Sequence, residues 1–241
     1  MPFTVVIPAR YASKRLPGKP LLKLKGKPLI QRVFEKANRS KAEKVYVATD
    51  HKDILDCCKE FGGSAILTSS KHLTGTDRIA ELVQKLGIED DTVIVNLQGD
   101  EPFIEPKDID NVAELLMNNI DFEMGTLFSK LKTEDEDNPN IVKIWVDQDK
   151  KVKAFSRKKD YLNVQGLTRA RHLGIYSYRV SFIKRFVRWN QTKSEILESL
   201  EQLRAVKKNI LIGAMQSLSK CHAGIDTKED LIKARSMIID E

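Results

Sequence analysis

The sequence predicts an α/β protein built on a doubly wound, mostly parallel sheet. Short apolar runs, which are typical of buried strands, alternate with stretches of helical period through residues 1–100. Glycine, proline and aspartate separate these segments, as expected for turns between compact elements. The first apolar run stops at a proline and continues into a basic loop, and open sheets of this class bind ligands at that position.

Strands and helices alternate strictly in this first part. Strands are expected at residues 4–7, 44–49, 65–67 and 92–97. Helices are expected at residues 29–37, 53–61 and 78–86, where apolar residues recur every three or four positions. Because strands joined by crossover helices run parallel, the alternation favours a parallel sheet.

The second half of the sequence is less regular. The expected elements are a helix at 107–118, an acidic, turn-rich break at 134–140, a hairpin of strands 142–146 and 152–155, a strand at 173–178, helices at 181–186 and 194–206, a strand at 210–214 and a final helix at 227–238. Thr227 and Asp230 are spaced as a capping box for the last helix. We predict a single domain over residues 1–241 with an excursion at about 120–185.

The charge balance favours an anionic ligand. Lys and Arg number 41 against 34 Asp and Glu, a net charge of +7. Nucleic acid is disfavoured as a partner, because the basic residues are spread along the chain and no nucleic-acid-binding motif is visible. Cys57, Cys58 and Cys221 give neither a disulfide framework nor a metal-ligand spacing. No signal peptide or membrane span is recognisable, so we expect a cytoplasmic protein without a membrane partner.

The basic loop after the first strand is the first candidate site. Arg10, Arg15 and Lys19 stand close to Ser13 and Gly18 in this loop. Arg grips phosphate with paired hydrogen bonds, Lys adds a compact charge, and Gly allows close backbone approach. The loop therefore fits either a polyphosphate cradle or an ordinary basic surface turn. It is not a Walker loop, because the required glycine and lysine spacing is absent.

Two aspartates are candidate metal ligands: one follows a predicted strand, and the other precedes the final helix. Asp100 follows the strand at 92–97 and is suited to hold Mg²⁺, which takes carboxylate and phosphate oxygens together. A strand-end aspartate also serves commonly as a turn former. Asp226, just before the final helix, is either a second ligand or part of the helix cap that Thr227 provides.

A hydroxyl-rich turn precedes the helix predicted at 78–86. Its residues Thr74, Gly75, Thr76 and Arg78 offer backbone amides and hydroxyls at a helix start. Such a turn could bind a pyrimidine edge or a phosphate, and alone it is weak evidence.

Eight motifs in one order carry a family resemblance. They are PAR through LPGKP (8–20), VATD (47–50), GTDR (75–78), QGDEP (98–102), FSR (155–157), HLGIY (172–176), LEQLR (200–204) and GIDT (224–227). In order and spacing they closely resemble the motifs of bacterial 3-deoxy-manno-octulosonate cytidylyltransferases, the CMP-Kdo synthetases. The resemblance covers residues 2 to about 236.

The resemblance implies a nucleotide-diphospho-sugar transferase-like variant of the Rossmann fold and an enzyme that couples CTP to the eight-carbon acidic sugar Kdo. It implies release of pyrophosphate, use of Mg²⁺, a homodimer formed through the excursion, which would also bind sugar, and a role in lipopolysaccharide biosynthesis. The matching nucleotide-binding positions are Arg10, Ser13, Arg15, Lys19, Gly75, Thr76 and Arg78. The matching sugar-binding positions are Gln98, Arg157, His172, Tyr176, Glu201 and Gln202. The implied metal ligands are Asp100 and Asp226, with Arg10, Lys19 and Asp100 as the catalytic set.

The chain departs from the family's pattern in two places. Residues 158–171 are short, basic and without proline where the family has a longer segment, and residues 205–209 replace an aromatic-glycine turn. We expect the first of these segments to be mobile and to cover the sugar only loosely. Two alternatives to Kdo transfer follow: another acidic acceptor, such as an amino-Kdo or a sialic acid, or a CTP-binding protein without turnover.

Overall fold

A nine-stranded sheet organises the computed structural model, which describes residues 2–13, 15–159, 161–218 and 224–238. The strands of the described chain are β1 Phe3–Ala9, β2 Lys23–Leu24, β3 Lys27–Pro28, β4 Lys44–Thr49, β5 Ala65–Leu67, β6 Val93–Asn96, β7 Met124–Ser129, β8 Lys143–Val146, β9 Val152–Ser156, β10 Thr168–Arg179 and β11 Ile212–Gln216. The α-helices are α1 Leu29–Asn38, α2 Lys52–Glu60, α3 Gly75–Leu86, α4 Pro106–Met117, α5 Val180–Phe186, α6 Lys193–Glu198, α7 Leu203–Lys207 and α8 Lys228–Met237. Short 3₁₀ turns span Lys19–Leu21 and Thr133–Asp135.

The strand order is β11-β7-β10-β6-β1-β4-β5. β5, β4, β1 and β6 run parallel, β10 is antiparallel to both β6 and β7, and β11 is parallel to β7. The β8–β9 hairpin attaches to the first half of β10. The predicted doubly wound, mostly parallel sheet is therefore confirmed, and the loops after β1, β4 and β6 lie at one edge.

Helices cover both faces of the sheet. Successive strand residues point to opposite faces, so Val5 and Ile7 of β1 pack with Ile30 of α1, whereas Val6 packs with Ile79 of α3 and other residues of the second face. All five of these side chains are fully buried. The two apolar cores fix the sheet and hold the loops at its carboxyl edge in place.

The first turn of α3 contains part of the predicted hydroxyl-rich turn. α3 begins at Gly75, three residues before the predicted start, because Thr74 and Asp77 form a capping box. The Thr74 amide donates to Asp77 Oδ2 over 3.1 Å, and the Asp77 amide donates to Thr74 Oγ1 over 3.1 Å.

Several elements differ from the sequence prediction, among them β2 and β3, which are not predicted, and β11, which spans Ile212–Gln216 rather than residues 210–214. β7 is a strand that the apolar pattern does not predict, and β10 begins at Thr168 rather than at residue 173. The helix expected at 194–206 is divided into α6 and α7, because Ser199 adopts a left-handed conformation with φ 51°. The capping box of Thr227 and Asp230 at the start of α8 is confirmed.

The excursion at 120–185 is not a separate unit. It contributes β7 and β10 to the middle of the sheet, and only the β8–β9 hairpin and the segment after it extend beyond the main sheet path. Within the part of the chain that the structure describes, no helix is long and apolar enough to cross a membrane.

Candidate active site

Two cavities meet at the carboxyl edge of the sheet. The smaller, of about 580 Å³, lies against the loop after β1, and the larger, of about 740 Å³, lies against β10 and the turns that flank the β8–β9 hairpin. Arg15, Gln98 and Asp226 line both. A group bound in one cavity therefore meets a group bound in the other beside these three side chains.

The basic loop forms the wall of the smaller cavity. It is lined by four of the predicted nucleotide-binding residues, Arg10, Ser13, Arg15 and Lys19. Gly18 adopts φ 64° and turns the chain into the 3₁₀ segment that begins with Lys19. The loop is fastened at its other end, where the Tyr11 amide donates to Asp50 Oδ1 over 3.0 Å.

Lys19 brings the two predicted metal ligands together. Its Nζ donates to Asp100 Oδ2 over 2.6 Å and to Asp226 Oδ1 over 3.0 Å. Arg15 Nη2 approaches the other Asp226 oxygen at 2.9 Å. Burial lowers the pKa of Lys19, but the Asp100 and Asp226 carboxylates outweigh burial and raise the pKa above its ordinary value. The ammonium is therefore charged at neutral pH.

The donor set around Lys19 fits a divalent cation. One ammonium contacts an oxygen of each carboxylate, so both oxygens point at a common cation position. No cluster of three or more His, Cys, Asp or Glu ligands occurs among the described residues. Mg²⁺ suits such a site, because it binds one or two carboxylates and completes its shell with water and phosphate oxygens.

Close backbone packing places Asp226 opposite Asp100. The Ile225 amide donates to the Asp100 carbonyl over 2.9 Å, and a Cβ built on Gly224 would lie 3.0 Å from Glu101 Oε1. A larger residue at 224 would crowd the Glu101 carboxylate. Glu101 itself lines the larger cavity, and burial, reinforced by the charge of Asp100, raises its pKa well above the usual range. The sequence prediction missed this acid although it lies inside the QGDEP motif.

Arg157 presents a free end of its guanidinium to the larger cavity. Nε donates to the Glu198 carbonyl over 2.9 Å, and Nη1 donates to the carbonyls of Pro139 and Asn140 over 3.1 and 3.3 Å. Within the described residues no side-chain carboxylate pairs with the guanidinium, and Nη2 has no hydrogen-bond partner. The cavity wall therefore carries a positive charge aimed by three main-chain carbonyls, which suits an anionic ligand.

His172 is a neutral polar group in the same wall. The ring lies edge-on to Phe155 with centroids 5.0 Å apart and beside Tyr176 with centroids 5.4 Å apart. Burial lowers the pKa of His172 to about 3, so the imidazole is uncharged at neutral pH. Of the six predicted sugar-binding residues, the structure brings Gln98, Arg157 and His172 to the larger cavity.

The other three predicted sugar-binding residues lie behind this wall. Tyr176, Glu201 and Gln202 line neither cavity in the described structure. Burial raises the pKa of Glu201 to about 7, and the nearby Thr76 and Thr74 hydroxyls oppose this rise. Within the described residues Glu201 Oε1 has no hydrogen-bond partner.

The structure also separates the GTDR motif from both cavities. Gly75 and Thr76 form the first turn of α3, and Thr76 is buried. Arg78 is 4% exposed and pairs with Asp50 Oδ2 over 2.9 Å, so it fastens α3 to the end of β4 instead of presenting its charge to a nucleotide. Of the predicted nucleotide-binding residues, those in the basic loop are the ones that reach the cavity.

Lys143 is a second residue that sequence analysis missed. It is fully buried, and its Nζ donates to the carbonyls of Asn138 and Arg157 over 2.8 and 2.9 Å. It therefore ties the backbone of Arg157 to the 138–141 turn that lines the larger cavity. A lysine within the apolar run of residues 141–146 is the signal that could have identified it.

The shortened segment at 158–171 is fastened by ion pairs near both ends. Lys159 and Arg169 contact Glu136 at 3.3 and 2.9 Å, and Arg171 lies 3.6 Å from Asp135. Of its described residues only Arg171 lines the larger cavity. The 138–141 turn, residues 172–175 of β10 and the end of α6 line the larger cavity more extensively than this segment does.

The arrangement defines a nucleotide-dependent transferase site, with a basic loop and two acids facing a cavity for an anionic acceptor. The cytidylyltransferase family model matches residues 4–212. The chain is 44% identical to the 3-deoxy-manno-octulosonate cytidylyltransferase of Haemophilus influenzae and 46% identical to that of Glaesserella parasuis, with 99% of this chain and 99% and 98% of the relatives covered. The chain belongs to the 3-deoxy-manno-octulosonate cytidylyltransferase family.

Solved structures show the same relationship. The structure of a CMP:2-keto-3-deoxy-manno-octonic acid synthetase complexed with CTP superposes with a TM-score of 0.91 at 35% identity, and 98% of each chain is covered. A cytidylyltransferase from Leptospira borgpetersenii superposes with a TM-score of 0.64 at 21% identity, which shows the fold alone.

Proposed function

We propose that this chain transfers CMP from CTP to the anomeric hydroxyl of Kdo, giving CMP-Kdo and pyrophosphate for lipopolysaccharide biosynthesis. It is a nucleotidyltransferase by family, and CTP and Kdo are the substrates that its relatives' names and the CTP-bound neighbour support. One observation carries the assignment of the reaction centre. Lys19, Asp100 and Asp226 meet where the basic cavity joins the cavity that contains Arg157.

In this proposal the triphosphate occupies the smaller cavity. Arg10, Arg15 and Lys19 supply positive charge along the phosphates, with Ser13 beside them. Asp226 and Asp100 already hold the Arg15 and Lys19 side chains at the cavity, which favours stabilisation of charge that develops on the departing pyrophosphate. Gly75, Thr76 and Arg78 act indirectly in this proposal, by holding the start of α3 against the end of β4.

The acceptor sugar occupies the larger cavity. Nη2 of Arg157 binds its carboxylate, and Gln98, which lines both cavities, stands near the reacting atoms. Tyr176, Glu201 and Gln202 support this wall from behind. Because the guanidinium has no carboxylate partner among the described residues, a neutral sugar would leave its charge uncompensated.

The chemistry requires no covalent enzyme intermediate. The anomeric oxygen attacks the α-phosphorus in line, a new P–O bond forms, the bond to the β-phosphate bridging oxygen breaks, and the hydroxyl proton passes to solvent. Asp100 and Asp226 would hold Mg²⁺, which when bound makes the attacking hydroxyl more acidic and offsets phosphate charge. The residues of this chain contribute chiefly by positioning the two substrates and neutralising charge.

We also propose that the protein is cytoplasmic, since CTP is a cytoplasmic metabolite, and that it forms a homodimer. Exposed apolar side chains in the excursion support a dimer contact there: Ile120 is 86% exposed, and Tyr161 and Val164 are each 54% exposed. Sedimentation velocity should show a dimer that polar substitutions at these three positions convert to monomer.

A pyrophosphate-release assay with CTP and Mg²⁺ tests the function. Kdo, an amino-Kdo and a sialic acid are compared as acceptors, with CTP alone and UTP plus Kdo as controls. Release that requires both CTP and Kdo, with Kdo preferred by kcat/KM, is expected. Preference for another acidic sugar would change the acceptor, and tight CTP binding without release with any acceptor would make the chain a binding protein.

A further inference from the structure

A fully buried hydroxyl lies behind His172 at an irregularity of the sheet. Thr126 of β7 is completely buried. Opposite it the pairing of β10 shifts, with Leu173 facing Leu127 and Tyr176 facing Thr126, so that Gly174 and Ile175 are extra residues on β10. The carbonyl groups freed by this bulge turn toward the Thr126 side chain.

Thr126 Oγ1 has three polar neighbours. It donates to the carbonyl of Ile175 over 2.8 Å or to that of Leu173 over 3.2 Å, and it lies 3.0 Å from His172 Nε2. A hydroxyl has one proton, and carbonyl oxygens only accept. Because the proton of Thr126 is committed to a carbonyl, its oxygen must accept from His172. Nε2 of the imidazole therefore carries a hydrogen.

The other ring nitrogen is then left as an acceptor. His172 is buried and neutral, so a ring protonated at Nε2 has an unprotonated Nδ1. Within the described residues Nδ1 has no hydrogen-bond partner, and His172 lines the larger cavity between Leu173 and Arg171. His172 thus adds a neutral lone-pair acceptor to the cavity that Arg157 also lines.

We propose that Thr126 is a positioning residue whose hydroxyl fixes His172 as the Nε2–H tautomer, so that Nδ1 accepts a hydrogen bond from a hydroxyl group of the acceptor sugar. The role of the sugar rests on the proposed function, whereas the tautomer does not. A fixed acceptor distinguishes a sugar hydroxyl from an ether or methoxy group at the same position, because only the hydroxyl can donate.

Nuclear magnetic resonance of the ¹⁵N-labelled full chain, using two-bond correlations of the histidine rings, tests the tautomer in the wild type, Thr126→Val and Thr126→Ser. The wild type and Thr126→Ser should show the Nε2–H form, and Thr126→Val should show a mixture or the Nδ1–H form. Ser177→Ala is the matched control, because it also removes a buried hydroxyl from the same sheet. That hydroxyl donates to the Val112 carbonyl over 2.7 Å. This control should leave the His172 signals unchanged.

Kinetics with CTP and Kdo give the second measurement. Thr126→Val should raise KM for the acceptor roughly five- to tenfold with KM for CTP unchanged, the loss expected for one neutral hydrogen bond, and Thr126→Ser should restore it. An Nδ1–H tautomer in the wild type, or a Thr126→Val variant with unchanged tautomer and unchanged KM, would overturn the proposal. If the wild type shows no turnover, the proposed function fails while the ring signals still decide the role of Thr126. The wild-type and Thr126→Ser spectra decide it even if the valine variant does not fold.

Discussion

Arg157→Gln removes the charge that the structure aims into the acceptor cavity. The guanidinium is held by three main-chain carbonyls and forms no ion pair with a carboxylate among the described residues, so its charge is available to the substrate. A hydrogen bond to a charged group contributes about 1.5–3 kcal/mol, which corresponds to a loss of about 10- to 150-fold in kcat/KM for Kdo. KM for CTP should stay unchanged, because Arg157 does not line the smaller cavity.

Steady-state kinetics with Kdo and its C1 carboxamide measure this effect. The wild type should prefer the acid strongly, whereas Arg157→Gln should treat the acid and the amide nearly alike. Arg171→Gln is the matched control, because Arg171 lines the same cavity but lies 3.6 Å from Asp135, and it should lose less. An equal loss for the acid and the amide in Arg157→Gln would refute carboxylate recognition by this residue.

Three further predictions follow from buried or shared charges. Without nucleotide, Lys19→Met should bind Mn²⁺ about tenfold more tightly than the wild type, since the ammonium no longer competes for the two carboxylates. Its turnover should nevertheless be slow, because the charge that stabilises the departing pyrophosphate is missing. An unchanged Mn²⁺ affinity in a titration would contradict this. The pKa of His172 is lowered from 6.5 to about 3, so between these values only the unfolded state takes up a proton as pH falls. Urea unfolding should therefore show that the wild type loses about 2 kcal/mol more unfolding free energy than His172→Gln between pH 6.5 and 5. Equal pH dependence of the unfolding free energy in the two proteins would contradict this. Arg204→Met leaves the buried Glu195 carboxylate without its ion-pair partner and should lower the unfolding free energy by about 3–5 kcal/mol. Lys184→Met removes an exposed ion pair and should lower it by less than about 1 kcal/mol. Equal losses in the two variants would contradict burial as the cause.

The first part of the sheet could be predicted because its signals are local. The strand at residues 44–49 was predicted with the bounds that β4 has, since an apolar run between turns is decided by its own side chains. The capping box of Thr227 and Asp230 is equally local. Each of these features depends on residues only a few positions apart.

The elements that were missed depend on distant partners. β7 contains Gly125, which weakens a strand pattern, but a Cβ at this position would lie 2.4 Å from the Ser177 hydroxyl of β10. α6 ends at Glu198, before the left-handed Ser199, although the helical period continues. The turn brings Glu198 to the backbone of Arg157, a contact across 41 positions that no sequence window contains.

The candidate site divides in the same way. Arg10, Lys19 and Asp100 follow strands whose parallel order was predictable, so their convergence followed from the fold. The acceptor side depended on the family resemblance, because Arg157 lies just after β9 and His172 lies beside the bulge of β10. Glu101, Lys143 and Thr126 were missed as site residues, since their roles arise from burial and, for Lys143 and Thr126, from hydrogen bonds to main-chain carbonyls.

The account depends most directly on Asp100 and Asp226 acting together at the junction of the cavities. Pyrophosphate release by Asp100→Asn and Asp226→Asn, with saturating CTP, Kdo and Mg²⁺, tests this, and circular dichroism and CTP titration verify the fold and the nucleotide site. Each variant should lose at least about a hundredfold in kcat while it still binds CTP, because one charged oxygen is missing from the cation position. A near-normal kcat in either variant would contradict the account.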